Sequence, residues 1–485
     1  MDERFVTGIP GFNIVTSGGL VRGGVCVVSG TPGAGKTVFA NQIAYHHVAS
    51  GGRALYVTVV AESESRLLRH LSSFSFFDRS LIGERFQYLS AHAALKENPA
   101  AVLDLLRREL LTRRPTLLVI DGLETVLATF GDEPHLKTFM HDLEVTTEHV
   151  ACTALLLAST DRNESVRAAA AVVDGSIELT QEALGTRVVR TLIVHKLRGT
   201  RVLEGRHVFE IADHGVTVFP RFESQFRLPT RPIAHDASVI TFDSPSLDAM
   251  LGGGLSAGSS TMVLGATGAG KTLLGLRFLM AGAERGEAGL YMGMYEAPAR
   301  LIATGQAVGL DLRKHIDTRA VEIEWEPAID IILDRTGARI LESVRRRNVR
   351  RLVIDGLGAF QMAGAHAERL PTFMTALLNE LRALNVTTII TAETTPLFAA
   401  EFDVPSQGVS QVLENLILLR LVEVQSQLRR LISILKLRNR AYDPAVREFH
   451  ITSAGFNVAA TVESAEAILT ESESRPRRSG DAGTK

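Results

Sequence analysis

The octapeptide Gly30-Thr31-Pro32-Gly33-Ala34-Gly35-Lys36-Thr37 constrains this chain more than any other stretch. Its spacing is that of a phosphate-binding P-loop, G-x-x-x-x-G-K-[ST]. Val25-Cys26-Val27-Val28-Ser29 precedes it, a short β-branched run that reads as a buried parallel strand. Val38 to Ala44 follows and reads as a helix. Strand, glycine loop and helix together let backbone N–H groups curl around phosphate oxygens at a helix N-terminus. In that setting Lys36 offers a point charge to the β- and γ-phosphates, and Thr37 offers a hydroxyl to Mg²⁺. The arrangement occurs again as Gly265-Ala266-Thr267-Gly268-Ala269-Gly270-Lys271-Thr272, after the run Thr261-Met262-Val263-Leu264. Two such loops in like surroundings point to two nucleotide sites, with ATP and Mg²⁺ as the cofactors.

The repeat extends well beyond the loops. Gly19-Leu20 returns as Gly254-Leu255, and Gly23 as Gly258. Leu118-Val119-Ile120-Asp121-Gly122-Leu123 returns as Leu352-Val353-Ile354-Asp355-Gly356-Leu357, and Lys196-Leu197-Arg198 as Lys436-Leu437-Arg438. Landmarks in one order at a nearly constant offset mean two tandem copies of one domain. Each copy alternates strand-like and helix-like segments, so each is expected to be α/β with a mostly parallel sheet. Strands are expected near 25–29, 54–59, 116–120 and 153–158, and again near 261–264, 289–292, 351–354 and 386–390. Antiparallel hairpins are expected to close the copies, over 177–219 and 416–456. Pro229 and Pro232 break regular structure between them. The expected domains are therefore 1–230 and 231–460, with a polar tail over 461–485 expected to be disordered.

Composition excludes some classes. A net charge of −2 gives no global attraction to nucleic acid or to anionic membrane. No apolar run approaches the roughly 20 residues of a membrane span, and the start lacks a basic-then-apolar leader pattern. The two cysteines, Cys26 and Cys152, lie in apolar strand-like runs and read as reduced core residues. A cytoplasmic location is the expectation.

Asp121 and Asp355 close apolar strands of the Walker-B type, where an acid beside a P-loop holds Mg²⁺. Hydrolysis also needs a group that orients or deprotonates the attacking water. The candidates follow the second strand of each copy: Glu62, with Glu64 competing, and Glu296. The bland alternative is a solvated acid opening the next helix. Lys196 and Arg198, like Lys436 and Arg438, are spaced i, i+2 on a late strand, which points both cations to one face. They read either as edge-strand charges or as fingers reaching a neighbouring subunit's γ-phosphate. Arg190 and Arg430, six residues earlier, are further candidates for that phosphate. The arginine-rich runs 107–114 and 345–351 read as solvated helix ends. The histidines show no metal-ligand spacing.

Together these residues resemble a known family. Val6-Thr7-Gly8-Ile9-Pro10-Gly11-Phe12, Gly18-Gly19-Leu20, Lys196-Leu197-Arg198-Gly199-Thr200 and Ile211-Ala212-Asp213-His214-Gly215-Val216 resemble the first half of the circadian clock KaiC proteins. The second P-loop, Tyr295-Glu296, Lys436-Leu437-Arg438 and Arg447-Glu448-Phe449 resemble the second half. The resemblance implies RecA-like folds, a two-tiered homohexameric ring and ATP at subunit interfaces. It further implies slow ATPase work in the first tier and Ser/Thr autokinase work in the second.

The chain also departs from the family's pattern. The family places two adjacent glutamates after the second strand, whereas this chain has Ala61-Glu62 and Glu296-Ala297. Glu296 matches the family's catalytic base, and Ala61 takes that place in the first copy. The family's Ser-Thr phosphorylation pair falls on Ser410-Gln411, so Ser410 is the one candidate phosphosite. The leading expectation is a double P-loop ATPase with Ser/Thr autokinase capacity and a signalling role. A RecA-like DNA-binding ATPase and a nucleotide-gated scaffold without turnover are the alternatives.

Overall fold

The computed structural model describes residues 4–59, 64–129, 133–159, 164–184, 187–233, 236–329, 331–362, 367–394, 409–452, 455–463 and 465–466. The chain divides into two compact units, Met1–Gln225 and Phe226–Lys485. In unit one the elements that position the site run as follows: β1 (Val25–Gly30), α1 (Lys36–Ala49), β2 (Ala54–Thr58), α2 (Glu64–Leu71) and β3 (Phe86–Ser90). Then come α3 (Pro99–Arg113), β4 (Leu117–Asp121), α4 (Glu133–His149), β5 (Thr153–Ser159) and α5 (Glu164–Val172). The unit closes with β6 (Gly175–Leu184), β7 (Arg187–Leu197), β8 (His207–Ala212) and β9 (Gly215–Phe219).

These strands form one nine-stranded sheet in the order β9-β8-β7-β6-β1-β5-β4-β2-β3. The strands from β6 across to β3 are parallel, and β7 to β9 add antiparallel. The central strands are apolar throughout because helices cover both faces. On one face α1 contributes Phe39 and Ile43 to a core with Val28 and Tyr56. On the other, α3 and α4 contribute Leu106 and Leu143 against Val27 and Ile120.

Unit two repeats the plan with β10 (Ser260–Gly265), α6 (Lys271–Ala283), β11 (Gly289–Gly293), α7 (Pro298–Ala307) and β12 (Val321–Trp325). It continues with α8 (Leu333–Arg347), β13 (Arg351–Asp355), α9 (Leu370–Ala383), β14 (Thr387–Glu393) and α10 (Val409–Val412). The closing strands are β15 (Asn415–Val424), β16 (Gln427–Lys436), β17 (Arg447–Thr452) and β18 (Gly455–Val458). Its sheet order, β12-β11-β13-β14-β10-β15-β16-β17-β18, is that of unit one read from the other edge. Both units are therefore mostly parallel α/β sheets ending in antiparallel hairpins, as the sequence implied.

The structure adds features that the sequence reading lacked. Edge strands β3 and β12 were not foreseen. In β12 the alternating acids point to helix α8 rather than to water. Glu324 meets Arg339 at 2.6 Å, and Glu326, just past the strand, meets Arg335 at 2.8 Å. The arginine run at the end of α8 is likewise paired, Arg345 with Glu380 at 2.7 Å and Arg346 and Arg347 with Glu322 at 3.0 Å. Both sheets also carry a bulge at one matching place. Ser176 faces Lys196 while Ile177 faces Val194, which leaves His195 extra on β7. Leu416 faces Lys436 while Ile417 faces Ile434, which leaves Leu435 extra on β16. The bulk of the polar tail, 467–485, lies outside the described residues.

The P-loops are locked to the hairpins. Gly35 and Gly270 adopt φ of 101° and 106° at the N-termini of α1 and α6. A Cβ at Gly35 would stand 2.4 Å from Ile211 Cδ1, and one at Gly270 would stand 2.7 Å from Ile451 Cδ1. Left-handed backbone and lack of space both demand glycine. Gly270→Ala is expected to destabilise unit two by about 1–3 kcal/mol in denaturant unfolding and to abolish nucleotide binding there.

Candidate functional site

Each P-loop joins the C-terminal end of a central strand to a helix N-terminus. Lys36 Nζ donates to the carbonyls of Gly30 at 2.7 Å and Thr31 at 3.1 Å. Lys271 Nζ does the same to Gly265 at 2.8 Å and Ala266 at 2.9 Å. Burial holds the Lys271 ammonium below the usual lysine range, with Glu393 and then Asp355 opposing. Lys271 thus stands at its loop with its charge poorly hydrated, the condition under which an anion is bound most strongly.

The Walker-type aspartates lie beside the loops through sheet register. Thr37 Oγ1 donates to Asp121 Oδ2 at 3.1 Å, and Thr272 Oγ1 donates to Asp355 Oδ2 at 2.8 Å. A tyrosine on the neighbouring strand makes the same bond in each unit: Tyr56 Oη to Asp121 Oδ2 and Tyr291 Oη to Asp355 Oδ2, both at 2.5 Å. Thr391 Oγ1 adds a further donor to Asp355. Burial pushes the Asp121 carboxyl above the usual range, while the Tyr56 and Thr37 hydroxyls pull it down and Glu124 raises it again. The two tyrosines share the repeat offset, which is the signal that would have found them in the sequence.

The remaining sequence-derived residues fall in distinct places. Glu296 follows β11, and its Oε2 is buried without a hydrogen-bond partner. Glu62 lies outside the described residues. Glu64 opens α2 and lines a cleft with Tyr56, Thr58, Tyr88, Ser90 and Asp121 at the C-terminal ends of β2, β3 and β4. Ser410 sits in α10, five residues before β15 begins at Asn415.

The Lys-x-Arg pairs stand at the opposite ends of the sheets from their own P-loops. Lys196 faces Ser176, which faces Val27, three positions before Gly30 on β1. Lys436 faces Leu416, which faces Met262, three positions before Gly265 on β10. At ~3.3 Å per residue that is about 10 Å back along the strand. The i, i+2 strand geometry does not hold, because β7 ends at Leu197 and β16 at Lys436. Lys196 Nζ caps the end of α5, donating to Ala171 O at 2.9 Å and Val173 O at 2.6 Å. Lys436 Nζ donates to Leu413 O at 2.5 Å. Burial and the adjacent arginine lower both lysines' pKa. Arg198 meets Asp174 at 3.2 Å, and Arg438 is exposed.

Arg190 and Arg430 are placed differently. Arg190 faces Gln181 on β6 and Phe209 on β8. Gln181 Oε1 lies 3.7 Å from where a Cβ of Gly33 would stand, and Phe209 packs toward Gly35. Arg190 therefore lies at the P-loop end of its own sheet. Arg430 faces Leu421, two positions past the pairing of Leu419 with Gly265, and so takes the same place in unit two. The Nε atoms of both arginines are buried without partners.

A glycine cradle, a P-loop lysine (part-buried in unit one, buried in unit two) and a threonine–aspartate pair in each unit fit a nucleotide with its divalent cation. In unit two the orphaned buried carboxylate oxygen of Glu296 lies just past β11, the strand whose Tyr291 bonds Asp355. Thr37 with Asp121, and Thr272 with Asp355, are the residues that would hold the cation. The sheet order, the helix-capping glycine loop and the strand-end aspartate define a tandem RecA-like P-loop protein. Comparison with known proteins gives the family. The model of the family described as "ATPase: KaiC" matches residues 5–223 and 244–463. The chain belongs to this KaiC ATPase family.

The chain is 24% identical over 487 residues to the circadian clock oscillator protein KaiC of Picosynechococcus sp., covering 98% of this chain and 93% of that one. It is 25% identical over 490 residues to the circadian clock oscillator protein KaiC 1 of Synechocystis sp., covering 98% and 92%. To the circadian clock protein KaiC3 of Synechocystis sp. it is 23% identical over 481 residues, covering 96% and 94%. Among the described residues no helix is long and apolar enough to cross a membrane.

The aspartate hydrogen bonds differ in number between the units, which gives a measurable asymmetry. Tyr56→Phe leaves the buried Asp121 with the Thr37 hydroxyl, whereas Tyr291→Phe leaves Asp355 with two threonine hydroxyls. Denaturant unfolding should show a loss of about 2 kcal/mol for Tyr56→Phe and about 1 kcal/mol for Tyr291→Phe.

Proposed function

We propose that this chain binds Mg²⁺-ATP in both units, hydrolyses it, and in its second unit phosphorylates its own Ser410, serving as a nucleotide-driven signalling switch. The observation that carries the reading is Glu296. It keeps a buried carboxylate oxygen without a partner just past β11, the strand whose Tyr291 shares Asp355 with the P-loop threonine. A carboxylate held with a free acceptor is suited to take a proton from water or from a serine hydroxyl. Residues 30–37 and 265–272 enclose the phosphates, with Lys36 and Lys271 as the charged donors. Bound Mg²⁺, on Thr37 and Asp121 or on Thr272 and Asp355, supplies positive charge to the phosphate oxygens. Glu62 takes the water-orienting role in unit one. Gln411 carries no hydroxyl, so the reading has one phosphosite, Ser410.

The finger residues Lys196, Arg198, Lys436 and Arg438 act on a neighbouring copy's nucleotide in a homohexameric ring. Their position about 10 Å back along the strands from their own P-loops supports this, because a protomer's own pair is at the wrong end of the sheet for its own site. Arg430 acts on the nucleotide of its own chain. Family membership and the ring assembly that the family resemblance implies support the same arrangement.

The test is phosphate release and protein labelling from γ-labelled ATP. Glu296→Gln should lower second-unit turnover by about 100-fold or more while nucleotide binding persists. Ser410→Ala should remove the label from the protein. A Glu296→Gln chain mixed equally with a Lys436→Ala/Arg438→Ala chain should regain about a quarter of the second-unit turnover, because that share of seams unites an intact base with intact fingers. Failure of mixing to restore any turnover would show that the fingers do not work in trans.

A further inference from the structure

Unit two carries a carboxylate at its P-loop that has no counterpart among the described residues of unit one. Glu393 ends β14, the strand between the P-loop strand β10 and the aspartate strand β13. Glu393 faces Gly265, and Thr391 on the same strand faces Asp355. The Glu393 side chain turns onto the loop: Thr267 Oγ1 donates to its Oε1 at 2.9 Å, and Lys271 Nζ stands 4.0 Å from the same oxygen. In unit one the residue facing Gly30 is Ser159. The additional acid there is Glu124, just after the aspartate strand, and its Oε2 accepts the backbone N–H of Ser159 at 3.0 Å. The corresponding position after β13 is Gly358. Between the two copies the extra carboxylate has moved from beyond the aspartate to the mouth of the P-loop.

That position sets a condition on the ligand. Lys271 is the charge that the loop offers to β- and γ-phosphates, and a carboxylate 4.0 Å away competes for it and repels phosphate oxygens. Metal-free ATP meets that repulsion with its full negative charge. Metal-loaded ATP carries less negative charge, and its cation attracts the carboxylate directly or through water. We propose that Glu393 makes the second site selective for the metal-loaded nucleotide, a discrimination that the first site lacks. The proposal rests on the nucleotide-binding reading above. Glu393 is a specificity residue here, and its carboxylate is two-thirds exposed, so the effect is modest and weakens with salt.

The experiment uses the full chain carrying Lys36→Met, so that only unit two binds, with a fluorescent ATP analogue at low ionic strength. Dissociation constants are measured in EDTA and in excess Mg²⁺. Glu393→Gln and Glu393→Ala should each tighten EDTA-condition binding by about tenfold and change Mg²⁺-condition binding by less than about threefold. A ratio of the two constants that stays at the parent value in both variants would overturn the proposal while leaving the nucleotide reading intact. A Lys36→Met parent that binds no nucleotide in either condition would overturn both. The reciprocal parent, Lys271→Met, reports unit one and should show a smaller Mg²⁺ effect. An equal or larger effect there would also overturn the proposed contrast.

Discussion

A single hydrogen-bonded bridge underlies each site: the first threonine of the P-loop helix, the strand-end aspartate, and a tyrosine from the next strand. Thr37, Asp121 and Tyr56 form it in unit one, and Thr272, Asp355 and Tyr291 form it in unit two. The bridge ties the phosphate loop to two strands that do not adjoin the loop's own strand. It also keeps a carboxylate in a buried place where, unbonded, it would be costly. Everything the sites offer a ligand is arranged around that carboxylate: the glycine cradle on one side, and the ends of β2 and β11 on the other.

Duplication has kept this bridge and altered what surrounds it. Asp355 has Thr391 as an extra donor, where the residue facing Asp121 is Leu157. Glu124 in unit one and Glu393 in unit two place an additional carboxylate on different sides of the site. Glu296 stands where Ala61 occupies the first copy. One scaffold therefore presents two electrostatic environments to the same class of ligand, and in the proposed scheme this is how the two units divide hydrolysis from autophosphorylation.

The two ends of each sheet carry different cations. Arg190 and Arg430 stand at the P-loop end, while the Lys-x-Arg pairs stand about 10 Å back along the strand, just after a bulge. The bulge frees the lysine from simple alternation and lets it cap the helix end that precedes the hairpin, in unit one through the carbonyls of Ala171 and Val173. A rigidly held lysine with an outward arginine beside it is a fixed edge, which is the property the proposed contact with an adjoining copy needs.

The two P-loops, the two strand-end aspartates, the repeat and the central parallel strands could all be read from the order of amino acids. Each is written in a short contiguous pattern whose period or spacing follows from local backbone chemistry, as in Val25 to Thr37 or Leu352 to Asp355. What meets those patterns came from the way the folded units pack. Edge strands β3 and β12 escaped because their alternating polar residues are satisfied by a distant helix or by half-exposure, which weakens the apolar signal. Tyr56, Tyr291 and Glu393 became part of the sites through sheet register, which brings together residues between 64 and 126 positions apart. The end of the sheet on which Arg190 or Lys196 lies follows from which strand each pairs with, and a bulge changes the face of the residues beyond it. Pairing and register are long-range quantities fixed by the packed whole, so no window of neighbouring residues contains them.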